Sequence, residues 1–426
     1  MRNTRHPRRE LTVIVDAYST GSCLPKEFES FGIGCVHVQS SPDIPADFLA
    51  TFQPGDFQQH FVVGVPGSVE DIAADLTRLA PIVCVIAGTE TGVETAERLA
   101  RLLHVPGNDP HTSRLRRDKY EMHERLKKAG LSALKQARCT TVDDALDWAA
   151  ALRSWPVVVK PSASAGADGV RFCNDLVEVA IAVDAILGKR NKLGNINDAA
   201  ILQQKIAGQQ FIVNAVSMNG RHYIAEIWKD DKIAVPGASL ICDREILLSP
   251  NDDLAHFLEL YTIACLDALG IREGPSHTEL FQTHGGKLLL IETAARMQGT
   301  IDHEAVMEAT GHSHVSLTVL RHADPAAFSE LLGTSYSRKN HLHCVTLSSS
   351  GSGTLKENRS REKFSTLKSF RSLIHAPQPG DPVTRTIDLF TNAGIAYLAC
   401  DSEEILEREY MLIRRWEANG DLFIFE

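Results

Sequence analysis

The chain has 426 residues, enough for two to four domains with substantial cores. With 23% charged and 43% hydrophobic residues its composition is that of an ordinary globular protein, and no apolar run approaches a membrane span. A net charge of −10 argues against a general nucleic-acid or membrane-surface binder, while leaving room for a local basic pocket that takes an anion.

The Arg-rich start, MRNTRHPRRE, reads as a basic tail. The apolar LTVIV that follows stops at Asp16, too soon for a secretory segment, so a first strand is expected there. Strand and helix patterns then alternate. LTVIVDAY, GCVHVQSS, FVVGV and PIVCVIAG read as strands, and CLPKEFESFG, SVEDIAADLTRLA and TGVETAERLARLLHV carry apolar residues at helical spacing. This order predicts an open parallel sheet covered by helices. The first strand-to-helix turn, DAYSTGSCL, lacks G-x-G-x-x-G, which disfavours a dinucleotide site and a hydride-transfer enzyme.

Pro106, Gly107 and Pro110 mark a boundary. Beyond it a helix runs to Gly130, with Asp118 as its expected cap and Tyr120, Met122, Leu126 and Ala129 supplying much of its buried face. DDALDWAAAL is a further helix, and WPVVVKP a short buried strand. ILQQKI, FIVNAVSMNG and RHYIAEIWKD read as strands, HFLELYTIACLDALG as a helix, and SHTELFQTHGGKLLLIETAAR as a hairpin. The tail holds a small Ser/Gly tract, SSSGSG, and more strand and helix signals. Nine cysteines are dispersed with no C-x-x-C, which predicts reduced thiols, some of them small core residues such as Cys84 and Cys265, and a cytoplasmic protein.

Four segments can carry chemistry. With Gly285-Gly286 as a two-residue turn, Phe281 faces Leu290 and Glu279 faces Glu292. Opposed like charges sit about 4.5–5.5 Å apart at Cβ and destabilise a sheet unless a cation offsets them. All-oxygen ligands point to Mg²⁺. The same residues also suit two solvated glutamates, or a longer turn that breaks the register. Arg296, four residues past Glu292, could hold an anion beside such a metal. In VVVKPSASAGADGV, Lys160 ends a buried strand, and small residues follow that would let backbone N–H groups approach phosphate. A strand-end lysine above a plain turn is the alternative. Lys119, next to Asp118, reads on its own as a solvated residue of a first helical turn. LQQKIAGQQFIVNAV is a strand, a connector around Gly208 and another strand, suited to reading an adenine edge or to a plain crossover.

In this order the segments resemble the ATP-grasp superfamily: DK opening a helix, PVVVKP with a small-residue loop, the GQQFIV crossover, and the Glu279–Glu292 hairpin running into Arg296. VDAYSTG, AGTETGVETAERLA and PGDPVTRTIDLFTNAGIAYL are similar to the branch of bacterial L-amino-acid ligases that form dipeptides. The resemblance implies an α/β protein built of α+β lobes. Residues 1–112 would form an N-terminal open parallel-sheet domain, 113–205 a central lobe with the glycine-rich loop, and 206–426 a C-terminal lobe with the metal hairpin. The two lobes would enclose ATP.

The resemblance also implies roles. Lys119 and Lys160 would contact ATP phosphates. Ser164 through Gly169 would form the lid, its Gly166 N–H stabilising an oxyanion. Gln203, Gln204, Lys205 and Ile206 would form the adenine hinge, and Gln210 would bind ribose. Glu279 and Glu292 would hold Mg²⁺, with Mn²⁺ the alternative, and Arg296 would hold the reacting carboxyl-phosphate. Two positions depart from the family pattern: Gln210 stands where many members have Glu, and Ala294 where many have Asn, so one metal ligand is missing or replaced by water. The implied reaction joins two L-amino acids through an acyl phosphate, releasing ADP and phosphate. A ligase using another amine or a carrier-protein thiol is the nearest rival, and an ATP-binding regulatory module the rival from another class. His277 and His303 are the candidate bases, though each also suits a satisfied or exposed histidine. Partners would be small amino-acid substrates, with no nucleic acid or membrane, and a homodimer as the common default.

Overall fold

The computed structural model describes residues 10–162, 169–191, 194, 196–234, 240–388 and 391–426. The expected parallel sheet is present. Its four strands run in the order His60–Val62, Gly34–Gln39, Leu11–Val15, Ile82–Ala87, all parallel. The helices that cross it follow from sequence. Val69–Leu79 buries Val69, Ile72, Ala73 and Leu76 at helical spacing, and Ser68 and Asp71 close a capping box at its start.

A four-stranded antiparallel sheet follows, ordered Gln136–Cys139, Ala200–Gln204, Val157–Pro161, Arg171–Cys173. Helices Val142–Leu152 and Leu176–Asp184 flank it. Its core is its own and includes Ala145, Ala149, Val157, Val159, Ile186 and Leu202.

The largest sheet has eight strands: Leu288–Ala294, Gly274–Thr283, Gly208–Met218, Arg221–Ala234, Leu240–Leu247, His341–Thr346, Ile395–Cys400, Phe370–Ile374. One hydrophobic core joins this sheet to the parallel one, linking Val13, Val36 and Leu99 with Val213, Ile227 and Leu280. Three short strands, Pro382–Val383, Gly353–Asn358 and Phe423–Phe425, complete the C-terminal end. Cys84 and Cys265 are buried free thiols, as expected. No described helix is long and apolar enough to cross a membrane.

The helix Lys119–Lys128 begins at Asp118, whose side chain accepts from the Tyr120 and Glu121 N–H groups, as expected of the cap. Its buried face differs from expectation: Met122, His123 and Leu126 are buried, while Ala129 is exposed. Ala129 lies past the last turn, and His123 is accommodated because its Nε2 meets the Ile291 carbonyl at 3.2 Å.

Candidate active site

The metal hairpin keeps its key pair by a route the sequence did not suggest. The turn is not the two residues Gly285-Gly286. Thr283 N–H donates to Lys287 O at 2.9 Å, so residues 284–286 form the loop, with Gly286 at φ 78°. The extra residue shifts the pairing: Leu280 faces Leu290 and Phe281 faces Leu289, not Leu290. A bulge at Ile291 then restores the count, and Glu279 faces Glu292 as expected. The bulge also frees the Ile291 carbonyl that His123 engages.

Strand ends and one helix start converge on this pair. Lys119 N–H donates to Ser162 O at 3.1 Å, tying the helix start to the end of the strand Val157–Pro161. Lys119 is therefore half-buried, and its Nζ lies 2.6 Å from Glu292 Oε2. Lys160 is buried beside it. Burial first, then the charge of Lys119, pushes the Lys160 ammonium down to about 8, opposed by Glu292 and Glu279. Glu279 accepts from Gln210 Nε2 at 2.9 Å and lies 3.4 Å from His277 Nε2. Burial opposes its ionisation, but the hydrogen bond and charge of His277, with Lys232 and Arg296, hold it well below the usual carboxylate range. The glutamine at 210 suits this position: a glutamate there would set a third carboxylate against Glu279, whereas the amide donates to it.

Arg296 follows the end of the strand Leu288–Ala294. Its Nε donates to Glu90 Oε2 at 3.0 Å and its Nη1 to Met297 O at 2.8 Å. Arg117 Nη1 donates to the other oxygen of Glu90. Burial works against the Glu90 charge, but Arg117 and Arg296 hold its pKa down to about 2.

A polar chain leads away from Glu279 across the sheet. His277 Nδ1 meets Asn214 Oδ1 at 2.9 Å, Asn214 Nδ2 donates to Gln298 Oε1 at 2.7 Å, and Gln298 Nε2 donates to Glu245 Oε2 at 2.9 Å. Burial raises Glu226 to about 8 and, with the charge of Asp230, raises Glu245 as well. His277 thus stands in the site, held between Asn214 and Glu279. His303 does not: its ring bonds Ser313 Oγ at 2.6 Å and lies 3.4 Å from Glu27.

Of the expected hinge, Gln203 is buried and donates to Gln136 Oε1 at 3.0 Å within the small sheet. Gln204 ends the strand, Lys205 is exposed with its Nζ 5.2 Å from the Phe172 ring centroid, and Ile206 is half-buried on the connector between the two antiparallel sheets. Ser164 and Gly166 lie outside the described residues. Gly169, just after them, has φ 65°, and a Cβ there would stand 3.0 Å from the Pro161 ring. Glu90, Arg117, Asn214, Gln298 and Glu245 are site residues that sequence reasoning did not single out. Their strands and turns lie far apart in the chain, and only the strand pattern around Asn214 gave any local signal.

The donor set fits a hard divalent cation. Two facing carboxylates and no sulfur or unshared imidazole suit Mg²⁺, which takes one or two carboxylates and completes its shell with phosphates and water. Lys119 and Lys160 beside the pair bring the positive charge that a polyphosphate would need.

A family model described as the ATP-grasp domain matches residues 153–304. Dapdiamide A synthase of Enterobacter agglomerans is 31% identical over 416 residues, covering 96% of both chains. The L-arginine-specific L-amino acid ligase of Bacillus subtilis is 25% identical over 234 residues, 54% of this chain and 55% of that one. Among solved structures, an L-amino acid ligase from Bacillus licheniformis superposes with a TM-score of 0.77 at 19% identity, over 99% of this chain and 100% of that one.

Proposed function

The chain belongs to the ATP-grasp family of ATP-dependent carboxylate–amine ligases, and from that premise we propose that it joins two L-amino acids into a dipeptide. The observation that carries this reading is that Lys119, Lys160, Glu279, Glu292 and Arg296 come close enough to act on one another's charge. Relatives named for a diamide and for L-amino acids support the substrate class.

In this reading ATP is a substrate. An amino-acid carboxylate oxygen attacks the γ-phosphorus, the bond to the β-phosphate oxygen breaks, and ADP leaves. The amine of the second amino acid then attacks the acyl carbon, loses a proton and expels phosphate. Lys119 and Lys160 balance the phosphate charge and hold the triphosphate in line. Glu279 and Glu292 would hold Mg²⁺, which supplies charge neutralisation to the phosphoryl oxygens. Lys119 leaves Glu292 for phosphate when nucleotide enters, which frees that carboxylate for the cation. Arg296 offers its fork to the carboxyl that receives the phosphoryl group. His277 has both ring nitrogens engaged, by Asn214 and by Glu279, and would orient the Glu279 carboxylate toward the cation.

A pairwise amino-acid screen with mass spectrometry of products and nucleotide analysis tests the reading. A dipeptide with ADP is the expected result; ADP release driven only by a non-amino-acid amine or a carrier thiol would replace it. Glu279→Gln and Glu292→Gln are expected to remove nearly all turnover with the fold retained, because relief of like-charge repulsion offsets the lost ligand. Near-normal rates of the double variant at limiting Mg²⁺ would dismiss the metal assignment.

A further inference from the structure

Glu90 comes from a different part of the molecule than the rest of the site. It opens the short turn Glu90–Gly92 after Ile82–Ala87, the edge strand of the parallel sheet. That turn has little freedom. Thr91 Oγ1 donates to Asp16 Oδ2 at 2.5 Å, and Thr89 Oγ1 donates to Asp16 O at 3.2 Å. The Asp16 carboxylate also takes Ser40 N–H at 2.8 Å, so three strand ends are stitched together. Gly88 and Gly92 press on the first strand so closely that a Cβ would stand 2.5 Å from Asp16 O and 2.7 Å from Val15 O. The base of Glu90 is therefore fixed from both sides.

Its carboxylate is shared between two cations. One oxygen takes Arg117 Nη1 and the other takes Arg296 Nε at 3.0 Å. All three side chains are between 11% and 14% exposed, so the pairings are only weakly screened. The Met297 carbonyl takes one N–H of Arg296 Nη1. A planar guanidinium held at Nε and Nη1 cannot turn about its long axis. Its Nη2 group has no hydrogen-bond partner among the described residues, and this is the edge left to receive an anion.

We infer that Glu90 is a positioning residue: it aims Arg296 at the reacting carboxyl-phosphate and keeps the positive charge of Arg117 from displacing it. The inference rests on the ligase reading, since it assigns Arg296 to the reaction centre. Without the Glu90 charge, two guanidinium groups face each other across a neutral group, and Arg296 loses the acceptor that sets its rotation. The N-terminal domain then contributes to catalysis through one carboxylate, without touching substrate.

The test compares Glu90→Gln, Arg296→Lys and the double variant in the full chain. Glu90→Gln is expected to lower kcat by roughly 10–100-fold, the scale of an ångström-level misplacement, with ATP affinity unchanged. In the Arg296→Lys background, which already lacks the fork, the same change is expected to cost less than about twofold. Glu90→Asp, which keeps the charge on a shorter arm, is expected to recover part of the loss. An unchanged kcat in Glu90→Gln, or an equal loss in both backgrounds, overturns the inference. A second readout needs no substrate: the Arg296 Nε–H resonance, assigned by its loss in Arg296→Lys, is expected to shift and exchange faster in Glu90→Gln. An unmoved resonance overturns the clamp, whereas a wild-type chain that no amino acid stimulates overturns only the dipeptide reading.

Discussion

Lys160 shows how far a single side chain can be read from sequence. Its place at the end of a buried strand was legible in PVVVKP, but its titration was not, because that depends on Lys119 arriving from a separate helix. The ammonium is pushed to about 8 by burial and by Lys119, from an ordinary 10.5. Phosphate binding favours the charged form, so nucleotide affinity should fall as pH rises above 8, and binding in the window just above pH 8 should take up a proton. The sign is opposite for folding: the unfolded lysine holds its proton through that window, so this group alone makes the free protein more stable as pH rises across it. Calorimetry of ATP binding at pH 8.5 in buffers of different ionisation heat measures the uptake. It should vanish in Lys160→Met; uptake that persists there belongs to another group. Glu90 and Arg117, by contrast, were invisible in sequence as site residues. Each is an ordinary charged residue beside a helix start, and only the tertiary approach of the parallel sheet to Arg296 gives them meaning.

At the level of the element, the hairpin shows why one expectation survived the failure of its premise. Strand identity and the Glu279–Glu292 pairing were readable from apolar alternation and the glycine pair, while loop length and the bulge were not. A one-residue change in the turn and a one-residue bulge cancel, so the carboxylates meet although Phe281 and Leu290 do not. The connector between the small lobe and the large sheet has a stricter requirement. A Cβ at Gly208 would stand 2.0 Å from the Gln282 carbonyl oxygen, where backbone meets backbone. Gly208→Ala should therefore push the start of this strand away from Thr283, its partner across the ladder, and cost about 1–3 kcal/mol by urea unfolding. Nucleotide affinity should fall with it, because the expected adenine hinge, Gln203 to Ile206, runs directly into this glycine. Unchanged stability would mean that the strand end yields without loss.

For the molecule as a whole, the first hundred residues were the most legible part. Helices such as Val69–Leu79 show one apolar face to a sheet, and their period survives any tertiary context. The outer strands of the large sheet were not. His341–Thr346 and Ile395–Cys400 are buried on both faces, with His343, Cys344 and Tyr397 among the apolar residues, so no alternation marks them. The separation of hydrophobic cores could not be read either, since it depends on which faces meet. That separation governs how the protein responds to heat. The parallel and eight-stranded sheets share one interior and should melt together, but the lobe spanning Gln136 to Gln204 has a separate and smaller interior. A smaller core removes less apolar surface from water, and such a unit opens at a lower free energy than its neighbours. Scanning calorimetry should resolve a minor early transition ahead of the main one, and Mg-ATP should move the early step upward more than the late one, because Lys160 sits on it. A single transition, shifted as a whole by nucleotide, would show that the three sheets melt as one body. Where the early step is present, modest warming alone would leave a fraction of molecules with the phosphate-binding lobe undone, and ATP would act on this protein as a folding ligand before it acts as a substrate.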